Sequence, residues 1–365
     1  MTFSINIDTA AWHAHTQSVR DELHAQDIAL IPVIKSNGYG LGQQLLAAEA
    51  ARLGVHAVAV GTVYEVAEVA ATFPGDIIVL EPIEPRDGAA AAAWAGIDEQ
   101  AFGARCIRTV ASPEGLDLVL DAHTHKRVVI EGLTSMRRFG FEGPALAGTW
   151  QFAQEAQGDG RLRVHGVTIH LPVTPSNEDL DEALQLADEV AAVANTQVHL
   201  LLSHVDVRQI EILRRHNPAL HFSVRVGTRL WLGRREALQA RANVLSVRPV
   251  KRGDQVGYHR NRARLDGHVV VVSGGTAHGI GLAAPQVSGG LRGRLIAAAS
   301  GVLAALGYAR SPFAVRGRKL AFAETPHQQV SMLWWPRSVP APAVGDELEV
   351  TVRFTTTRAD AVNAR

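Results

Sequence analysis

The sequence lacks the features that mark several large classes of protein. Its one cysteine, Cys106, excludes an internal disulfide and any metal site built from cysteine thiolates. No apolar run reaches the ~18 residues of a membrane-spanning helix, and residues 1–8 do not resemble a signal peptide, so we expect a cytoplasmic protein. Lysine plus arginine equals aspartate plus glutamate at 36 each, so no net charge favours nucleic acid or an anionic membrane as a partner.

The remaining composition is that of an ordinary soluble globular protein. At 365 residues, 47% hydrophobic and 20% charged, the chain is long enough for a large core or two domains. Its 16 histidines include two closely spaced pairs, His13/His15 and His123/His125. Because no carboxylates accompany these pairs in the spacing of a zinc site, we predict that the protein has no metal site.

Short apolar runs alternate with helical stretches through the first 232 residues. Strands that alternate with helices form a parallel sheet, and about eight such units indicate a closed, TIM-like (β/α)8 barrel with its active site at the carboxyl ends of the strands. Asp8 and Thr9 can cap the first helix. The predicted barrel strands are Ile28–Lys35, Ala57–Val60, Asp76–Leu80, Val128–Ile130, Val164–Leu171, His199–Leu202 and Phe222–Arg225, and the predicted helices include Trp12–Ala25, Gln43–Leu53 and Val63–Phe73.

The pattern changes after about Leu232, where short strands with Gly, Pro and Asp turns replace most of the helices. We therefore predict an α/β plus all-β protein. Residues 9–232 would form the barrel, and residues 233–365, together with the N-terminal strand 1–8, would form a C-terminal β domain. Its predicted strands are Val244–Lys251, Gly267–Ser273, Val330–Trp335 and Glu347–Phe354, with one short helix at Ala297–Leu306.

The second predicted strand ends on a lysine. Residues 28–42 read Ile-Ala-Leu-Ile-Pro-Val-Ile-Lys-Ser-Asn-Gly-Tyr-Gly-Leu-Gly, so Lys35 leads into turn-forming residues that include Tyr39. Desolvation lowers the pKa of a lysine, and the neutral amine attacks carbonyl groups, which makes Lys35 a candidate Schiff-base residue. A lysine whose amine simply extends into solvent is the alternative.

This stretch resembles the pyridoxal phosphate (PLP) attachment motif of alanine racemases, hydrophobic-Val-Val-Lys-Ala-Asn-Ala-Tyr-Gly-His-Gly. The resemblance implies that Lys35 carries PLP as a Schiff base and that Tyr39 hydrogen-bonds its phosphate. A barrel followed by a β domain is also the architecture of this family of fold-type III enzymes, so the resemblance covers essentially the whole chain. It implies a head-to-tail homodimer in which the β domain of one chain completes the barrel mouth of the other.

Other segments resemble the cofactor-binding positions of the same family. His170 matches a strand-end histidine that lies against the cofactor ring, although a structural histidine is the alternative. Ser203 or His204 falls where the family has a phosphate-binding serine. The segment Ser223–Trp231 implies that Gly227 and Thr228 offer backbone amides to the phosphate.

Two arginines are candidates for cofactor and substrate contacts. The resemblance places Arg225 opposite the pyridine nitrogen, where a donor weakens the electron sink and favours racemisation over transamination. It places Arg138 on the substrate side, and we expect Phe139 and Phe141 to fix it in a packed site rather than at the surface. Glu131 stands where the family has a lysine that holds this arginine, and its carboxylate could hold Arg138 directly.

The sequence departs from the family at the second catalytic base. Racemisation through PLP is simplest with a base on each face of Cα, and in the family the second is a tyrosine in Gly-Tyr-Ala-Asp-Gly of the partner subunit. Here the segment is Gly275–Gly279, with Thr276 in place of the tyrosine. A threonine hydroxyl has no accessible anion near neutral pH, whereas His278 is a suitable base if its ring faces the site. A loop histidine, with a water held by Thr276 as the donor, is the alternative.

The other substrate-side segment also differs from the family's Arg-Val-Cys-Met-Asp. Met332 is kept as a carboxylate-side contact of an amino-acid substrate, whereas Ser331 and Leu333 replace the cysteine and the aspartate. Cofactor positions are therefore kept while substrate positions change. We interpret the chain as a PLP enzyme whose substrate is not simply alanine, or whose second proton donor is new.

Three functions follow from these observations. The first is a PLP-dependent amino-acid racemase or epimerase in which Lys35 serves one face and His278, or a water held by Thr276, serves the other. The second is a one-base PLP enzyme, an aldolase, decarboxylase or eliminase, that needs only Lys35. The third is a PLP-binding protein without turnover. We favour the first because the cofactor motif is strong.

Overall fold

The computed structural model describes residues 2–121, 125–195, 197–282 and 310–365, together with Ala298 and Gly301. The chain divides into two compact units. The barrel unit comprises His13–Gly38 and Gln43–Gly233. The β unit comprises Met1–Trp12, Tyr39–Gly42 and Arg234–Arg365.

Strands and helices alternate regularly up to Leu232. The elements are β1 (Phe3–Ile7), α1 (Thr9–His24), β2 (Ala29–Pro32), α2 (Gln43–Arg52), β3 (Ala57–Val60), α3 (Val66–Ala70), β4 (Asp76–Pro82), α4 (Gly88–Asp98), β5 (Cys106–Val110), α5 (Pro113–Leu120), β6 (Lys126–Gly132), α6 (Gly143–Gly158), β7 (Leu162–Ile169), α7 (Asn177–Val193), β8 (His199–Ser203), α8 (Val207–His216), β9 (His221–Val226) and α9 (Thr228–Leu232). The described elements that follow are β10 (Leu238–Val250), β11 (Gln255–Val256), β12 (Asn261–Arg262), β13 (Gly267–Ser273), β14 (Arg310–Val315), β15 (Arg318–Phe322), β16 (Val330–Pro336), β17 (Glu347–Val350) and β18 (Ala361–Ala364).

Several helices begin at a side chain that bonds their first free amides. Asp8 accepts from the amide of Ala11 at 3.0 Å, as the sequence predicts. Ser112 caps α5 in the same way, and Ser176 and Asp206 form capping boxes at the starts of α7 and α8. These caps fix where the helices begin, after the loops that follow strands β5, β7 and β8.

The barrel unit is a sheet of parallel strands in the order β2-β9-β8-β7-β6-β5-β4-β3. A parallel bridge between Val33 and Ala59 joins β2 to β3 and closes the sheet into a barrel. The predicted (β/α)8 fold is therefore confirmed. Apolar side chains of seven residues fill the interior: Ile31, Val33, Ala59, Ile78, Ile107, Val129 and Leu201.

Three features of the barrel differ from the prediction. The predicted helix Val63–Phe73 is a short 3-10 turn followed by α3, which ends at Ala70, and Pro74 disfavours helix at Phe73, where the predicted helix ended. The predicted strand Ile28–Lys35 pairs as β2 only as far as Pro32, so Lys35 lies beyond the regular ladder. Strand β5 had no predicted counterpart.

The β unit is mainly antiparallel, with strand order β13-β16-β15-β14-β17-β10-β1-β18. An additional pairing between β13 and β10 closes six of these strands on themselves. The N-terminal strand β1 pairs antiparallel with β10 and parallel with β18. The β-rich character predicted for this part of the chain is confirmed.

The β unit differs from the prediction in one strand boundary and in several additional strands. The strand predicted to run to Phe354 ends at Val350, because the hydroxyl of Thr357 bonds the carbonyl of Arg353 and a tight turn replaces the strand. Strands β14, β15 and β18 had no predicted counterparts. The predicted helix Ala297–Leu306 lies outside the continuously described residues.

Two features are absent from residues 2–121, 125–195, 197–282 and 310–365. None of the helices in these ranges is long and apolar enough to cross a membrane. Across the same ranges, no group of three or more His, Cys, Asp or Glu side chains could hold a metal ion.

A buried tryptophan ties the last barrel helix to the strand that leads to Lys35. Trp231 is fully buried, and its Nε1 donates to the carbonyl of Val33 at 2.8 Å. We expect Trp231→Phe to lower the free energy of unfolding by roughly 1–3 kcal/mol, since the buried carbonyl loses its donor. Urea denaturation of the apoprotein, followed by circular dichroism, measures this.

Trp150→Phe is the matched control. Trp150 is equally buried, but its Nε1 has no acceptor among the described residues, so the same substitution removes no hydrogen bond. Equal losses in the two variants would contradict the role given to the Trp231 hydrogen bond.

Candidate active site

Polar side chains collect at the carboxyl ends of the barrel strands. Lys35 follows β2, Glu131 lies near the end of β6, His170 follows β7, Ser203 ends β8 and Arg225 lies near the end of β9. Because all the strands are parallel, these ends meet at one rim. We call the five residues the rim cluster.

The amine of Lys35 is perturbed by its surroundings. Although the residue as a whole is exposed, partial burial lowers the pKa of Lys35 below its ordinary value, and the charges of Arg138 and Arg225 lower it further. Glu65 acts in the opposite direction. The neutral, nucleophilic amine is therefore more populated than for a lysine in water.

Glu65 holds the turn that follows Lys35. One carboxylate oxygen accepts from the amide of Ser36 at 2.8 Å, and the other accepts from the amide of Gly61 at 2.6 Å. Ser36 has a positive φ of 56°, a conformation that needs such support. A Cβ on Gly61 would lie 3.3 Å from the Cβ of Lys35, so the two strand ends are tightly packed. The sequence does not predict this role of Glu65, because Glu65 lies 29 positions from Ser36 along the chain.

His170 and Ser203 form a hydrogen-bonded pair. Ser203 Oγ lies 2.7 Å from His170 Nδ1 and also accepts from the amide of Leu171 at 3.2 Å. Burial and then the charges of Arg225 and Arg138 lower the pKa of His170 to about 3, so the imidazole is neutral at physiological pH. The hydroxyl of Ser203 is thus engaged within the protein.

His204 lies beside this pair. Its exposed ring meets that of His170 edge-on, with centroids 5.4 Å apart, and its φ is 62°. Burial lowers the pKa of His204, and the charges of Arg225 and Lys35 lower it further. Of the two phosphate-binding candidates, His204 is the more accessible.

Arg225 is a buried cation with spare donors. It is 7% exposed, and one terminal nitrogen donates to the carbonyl of Ile169 at 3.1 Å. Its Nε is buried without an acceptor among the described residues. Burial lowers the pKa of Arg225 to about 10, although the carboxylate of Glu131 opposes this. The guanidinium therefore stays charged and offers a donor at the rim.

Glu131 shares this buried environment. Burial raises the pKa of Glu131 to about 7, against the opposing effects of Arg225 and then Arg138. Among the described residues no ion pair joins Glu131 to Arg138, so the direct support that the sequence suggested is absent. Glu131 acts on both arginines only through longer-range electrostatics.

Arg138 lies on an exposed loop between β6 and α6. Its guanidinium carbon lies 5.1 Å from the ring of Phe139, which is itself 42% exposed. Phe141 is buried, and its amide donates to the carbonyl of Glu131 at 2.9 Å. The expected packed setting is therefore wrong for Arg138 and Phe139 and holds only for Phe141.

Gly227 and Thr228 mark the turn from β9 into α9. The carbonyl of Gly227 accepts from the amides of Leu230 and Trp231, each at 3.0 Å. The first amides of a helix have no acceptor within that helix, so those at this turn are available to an acceptor at the rim.

The remaining predicted site residues belong to the β unit. Tyr39 is buried with a positive φ of 54°, and Gly40 follows it where a Cβ would lie 2.7 Å from the carbonyl of Phe354. Met332 is half-buried against a small apolar cluster of this unit. Thr276 is half-buried, and its amide donates to the carbonyl of His327 at 2.8 Å.

His278 is engaged at both ring nitrogens. The residue is 4% exposed, its Nδ1 accepts from the amide of Gly275, and its Nε2 lies 3.1 Å from Asp360 Oδ1. The ring also packs 5.2 Å from that of Phe3. His278 therefore ties the N-terminal strand to the C-terminal segment, which favours the structural alternative over the predicted base.

The fold and the rim together define the class of the protein. A closed parallel (β/α)8 barrel carries a lysine of lowered pKa, a neutral histidine and a buried arginine on one rim, followed in the chain by antiparallel strands. Residues 7–234 match the family model described as the N-terminal domain of alanine racemase. The chain therefore belongs to the alanine racemase family.

Individual relatives agree with this family. An alanine racemase of Mycolicibacterium vanbaalenii is 28% identical over 305 residues, which cover 76% of this chain and 72% of that protein. The alanine racemase structure from E. faecalis has a TM-score of 0.70 at 18% identity and covers 100% of this chain and 98% of its own. That of Bartonella henselae, which has covalently bound pyridoxal phosphate, has a TM-score of 0.70 at 16% identity and covers 100% of both chains. These structures share the fold of this chain.

We expect the charge of Glu65 to tune the amine of Lys35. Glu65→Gln removes the one carboxylate that raises the pKa of Lys35, so that pKa should fall further. Titration of the lysine Cε resonances in 13C-lysine-labelled apoprotein measures the shift. Glu68→Gln, on the same segment and exposed, is the control, and an unchanged Lys35 titration in Glu65→Gln would contradict the expectation.

We expect Asp360 to stabilise the protein through its two partners. Burial alone would raise the pKa of Asp360. Hydrogen bonds from the amide of Phe3 and from His278 outweigh it, so this pKa is lowered overall. A lowered carboxyl pKa stabilises the fold above the unfolded pKa of about 3.9, and this stabilisation is lost as pH falls through the folded pKa. Asp360→Asn should therefore cost roughly 1 kcal/mol at pH 7 and progressively less below about pH 4.

Urea denaturation across this pH range measures the effect of Asp360→Asn. Asp159→Asn is the control, because Asp159 is exposed and lies 3.8 Å from Arg161. A pH-independent loss in Asp360→Asn would show that the lost charge is not the cause.

Proposed function

We propose that this chain is a PLP-dependent amino-acid racemase or epimerase that acts as a cytoplasmic head-to-tail homodimer. The observation that carries the proposal is Lys35, an amine of lowered pKa at the end of a barrel strand, in a chain of the alanine racemase family. Such an amine is suited to hold a carbonyl cofactor and to act as a base. In this proposal residues 9–232 bind the cofactor, and residues 233–365 with strand 1–8 supply the second domain.

The residues at the rim fit PLP by the chemistry of their donors. Among the described residues, Arg225 Nε is a buried donor without an acceptor, and a buried unpaired donor costs about 1–3 kcal/mol, so an acceptor such as the pyridine nitrogen would relieve it. The amides of Gly227 and Thr228, with His204, Ser203 and the hydroxyl of Tyr39, would hold the phosphate. His170, being neutral, would lie against the ring without adding charge.

The residues at the rim also favour one kind of reaction. When bound, PLP withdraws electrons from the substrate Cα, so that a protein base can remove its proton. Arg225 would donate to the pyridine nitrogen without protonating it, which limits that electron withdrawal. Rapid loss and return of a proton, as in racemisation, then competes well against reactions that need a longer-lived carbanion. Arg138 and Met332 would contact the substrate carboxylate.

The second proton donor is the open element of this proposal. Lys35 would move the proton on one face of Cα, and a group in Gly275–Gly279 would move it on the other. A threonine hydroxyl cannot supply an anion near neutral pH, so Thr276 would act through a held water. His278 would have to release Gly275 or Asp360 before it could accept a proton.

The engagement of both His278 nitrogens favours a second candidate. A one-base PLP enzyme, an aldolase, decarboxylase or eliminase, would use Lys35 alone. Such an enzyme would exchange the α-proton of one enantiomer and leave the other unchanged. A PLP-binding protein without turnover would exchange neither.

The test combines absorbance with proton exchange. We expect the long-wavelength absorbance of lysine-bound PLP in the wild type and in Lys251→Ala, an exposed lysine of the β unit, and its loss in Lys35→Ala. In deuterated water the holoenzyme should exchange the α-proton of both enantiomers of at least one amino acid in a broad panel and should interconvert them.

Each outcome of this test is decisive. Absence of PLP absorbance in the wild type would overturn all three candidates. Exchange of one enantiomer only would replace the racemase with the one-base enzyme. A stable PLP complex that exchanges no α-proton would indicate binding without turnover.

A further inference from the structure

A cavity of about 420 Å³ lies at the end of the barrel opposite to the rim cluster. Three of the residues that line it, Ala29, Ala57 and Asp76, are the first residues of β2, β3 and β4, whereas the rim cluster lies at the carboxyl ends of the strands. All of its lining residues belong to the barrel unit. The cavity is therefore separate from the proposed PLP site.

Two alanines create this space. Ala29 and Ala57 lie two positions before core residues of β2 and β3, and residues two apart on a strand share a face, so both side chains point into the barrel. A single methyl group fills little of the interior at these positions. Four apolar core residues close the inner end of the cavity: Ile31, Ile78, Ile107 and Leu201. A ligand that enters from the amino ends of the strands therefore meets an apolar surface.

The wall formed by β7, β8 and β9 is polar. His165 Nε2 accepts from Arg127 Nε at 2.9 Å, so the neutral imidazole carries its proton on Nδ1. That nitrogen has no hydrogen-bond partner among the described residues. On the next strand, His199 Nε2 lies 2.7 Å from Ser223 Oγ, and burial lowers the pKa of His199, which favours its neutral form. The wall therefore offers one N–H donor and one hydroxyl oxygen.

The acidic and basic side chains that line the cavity are paired. Asp76 accepts from two guanidinium nitrogens of Arg127, at 2.6 and 2.5 Å. Arg20 Nε lies 3.0 Å from Asp21 Oδ1. Burial and then the charge of Arg127 lower the pKa of His165 to about 4, so its ring is neutral at physiological pH. These groups leave no net charge to balance a charged ligand, whereas a neutral ligand needs none.

We propose that this cavity is a second ligand site, which takes a small neutral molecule with an apolar ring and one hydroxyl group, of the chemical class of a phenol. The ring packs against the four core residues. The hydroxyl accepts from His165 Nδ1 and donates to Ser223 Oγ. A dry apolar cavity of roughly 150 Å³ is large enough to bind benzene, so this cavity has room for a substituted ring. The inference does not depend on PLP or on Lys35.

4-Methylphenol is the probe that tests the site. The full-length protein carries 13C-labelled isoleucine δ1 methyl groups, whose resonances are followed by NMR as the probe is added. We expect saturable shifts of Ile31, Ile78 and Ile107, because their side chains close the cavity. If these three resonances do not move while the probe is raised to its solubility limit, the site is overturned.

Ala57→Leu tests whether binding needs the space. The larger side chain fills the cavity, so affinity for 4-methylphenol should fall by at least about tenfold. Ala14→Leu, the same change at an exposed position of α1, is the matched control and should bind as the wild type does. Circular dichroism checks folding, and Ala29→Leu replaces Ala57→Leu if that variant does not fold. Unchanged affinity in the folded cavity variant would place the probe elsewhere and overturn the site.

His165→Phe tests the hydrogen bond. It should weaken 4-methylphenol by roughly 2- to 10-fold and leave 1,4-dimethylbenzene, which has the same shape without the hydroxyl, at its wild-type affinity. A merely structural role of His165 would weaken both probes alike, and that result would overturn the hydrogen bond.

4-Methylbenzoate tests the class of ligand. Its buried carboxylate finds no unpaired countercharge, so it should bind the wild type at least about tenfold more weakly than 4-methylphenol does. Equal or tighter binding of the benzoate would overturn the neutral class. Each of these outcomes is independent of racemase activity, so failure of the proposed function and failure of this site are distinguishable.

Discussion

The electrostatics of the barrel rim depend on the burial of one cation. One terminal nitrogen of Arg225 donates to the carbonyl of Ile169, and the charge of Arg225 acts on Lys35, Glu131, His170 and His204. Burial is the largest cause of the lowered pKa values of Lys35 and His170, and Arg225 adds to it; Arg225 also opposes the rise that burial causes in the pKa of Glu131. Burial and these charges therefore favour the uncharged forms of Lys35 and His170 at one rim.

The β unit contains two histidines of opposite character within one region of the chain. His278 is buried with both ring nitrogens bonded, and its contacts with Phe3 and Asp360 join the two ends of the chain. His327 bonds through one nitrogen to a buried carboxylate and is partly open to solvent. The first geometry joins Gly275 and Asp360 through one ring, whereas the second ties His327 to Glu324. The two histidines therefore differ in their hydrogen bonds and in their exposure.

The departures from the family pattern are built into the structure. Ser331, which replaces the expected cysteine, is fully buried and donates to the carbonyl of Gly274 at 2.7 Å. Its hydroxyl therefore supports the backbone ahead of Thr276 and takes no part in surface chemistry. Glu131, which replaces the expected lysine, influences the rim arginines by charge and makes no ion pair with Arg138.

The sequence by itself determined the alternation of strands and helices, the change to β structure after Leu232 and the position of Lys35. These features follow from local periodicity and from short motifs, so no tertiary contact is needed to predict them. Strand β5 was missed because Arg108 and Thr109 interrupt its apolar run. They are buried only because Arg108 pairs with Asp98 at 2.5 Å and Thr109 bonds the carbonyl of Val79.

Only the tertiary structure decided which side chains support the site. Glu65 reaches the turn after Lys35 only because β2 and β3 become neighbours when the barrel closes. The bond between His278 and Asp360 joins residues 82 positions apart, and the cover over Glu324 comes from a hairpin 65 positions away. These hydrogen-bond partners are brought together only when distant parts of the chain pack in the folded protein. Periodicity along the sequence reflects local structure and does not predict them.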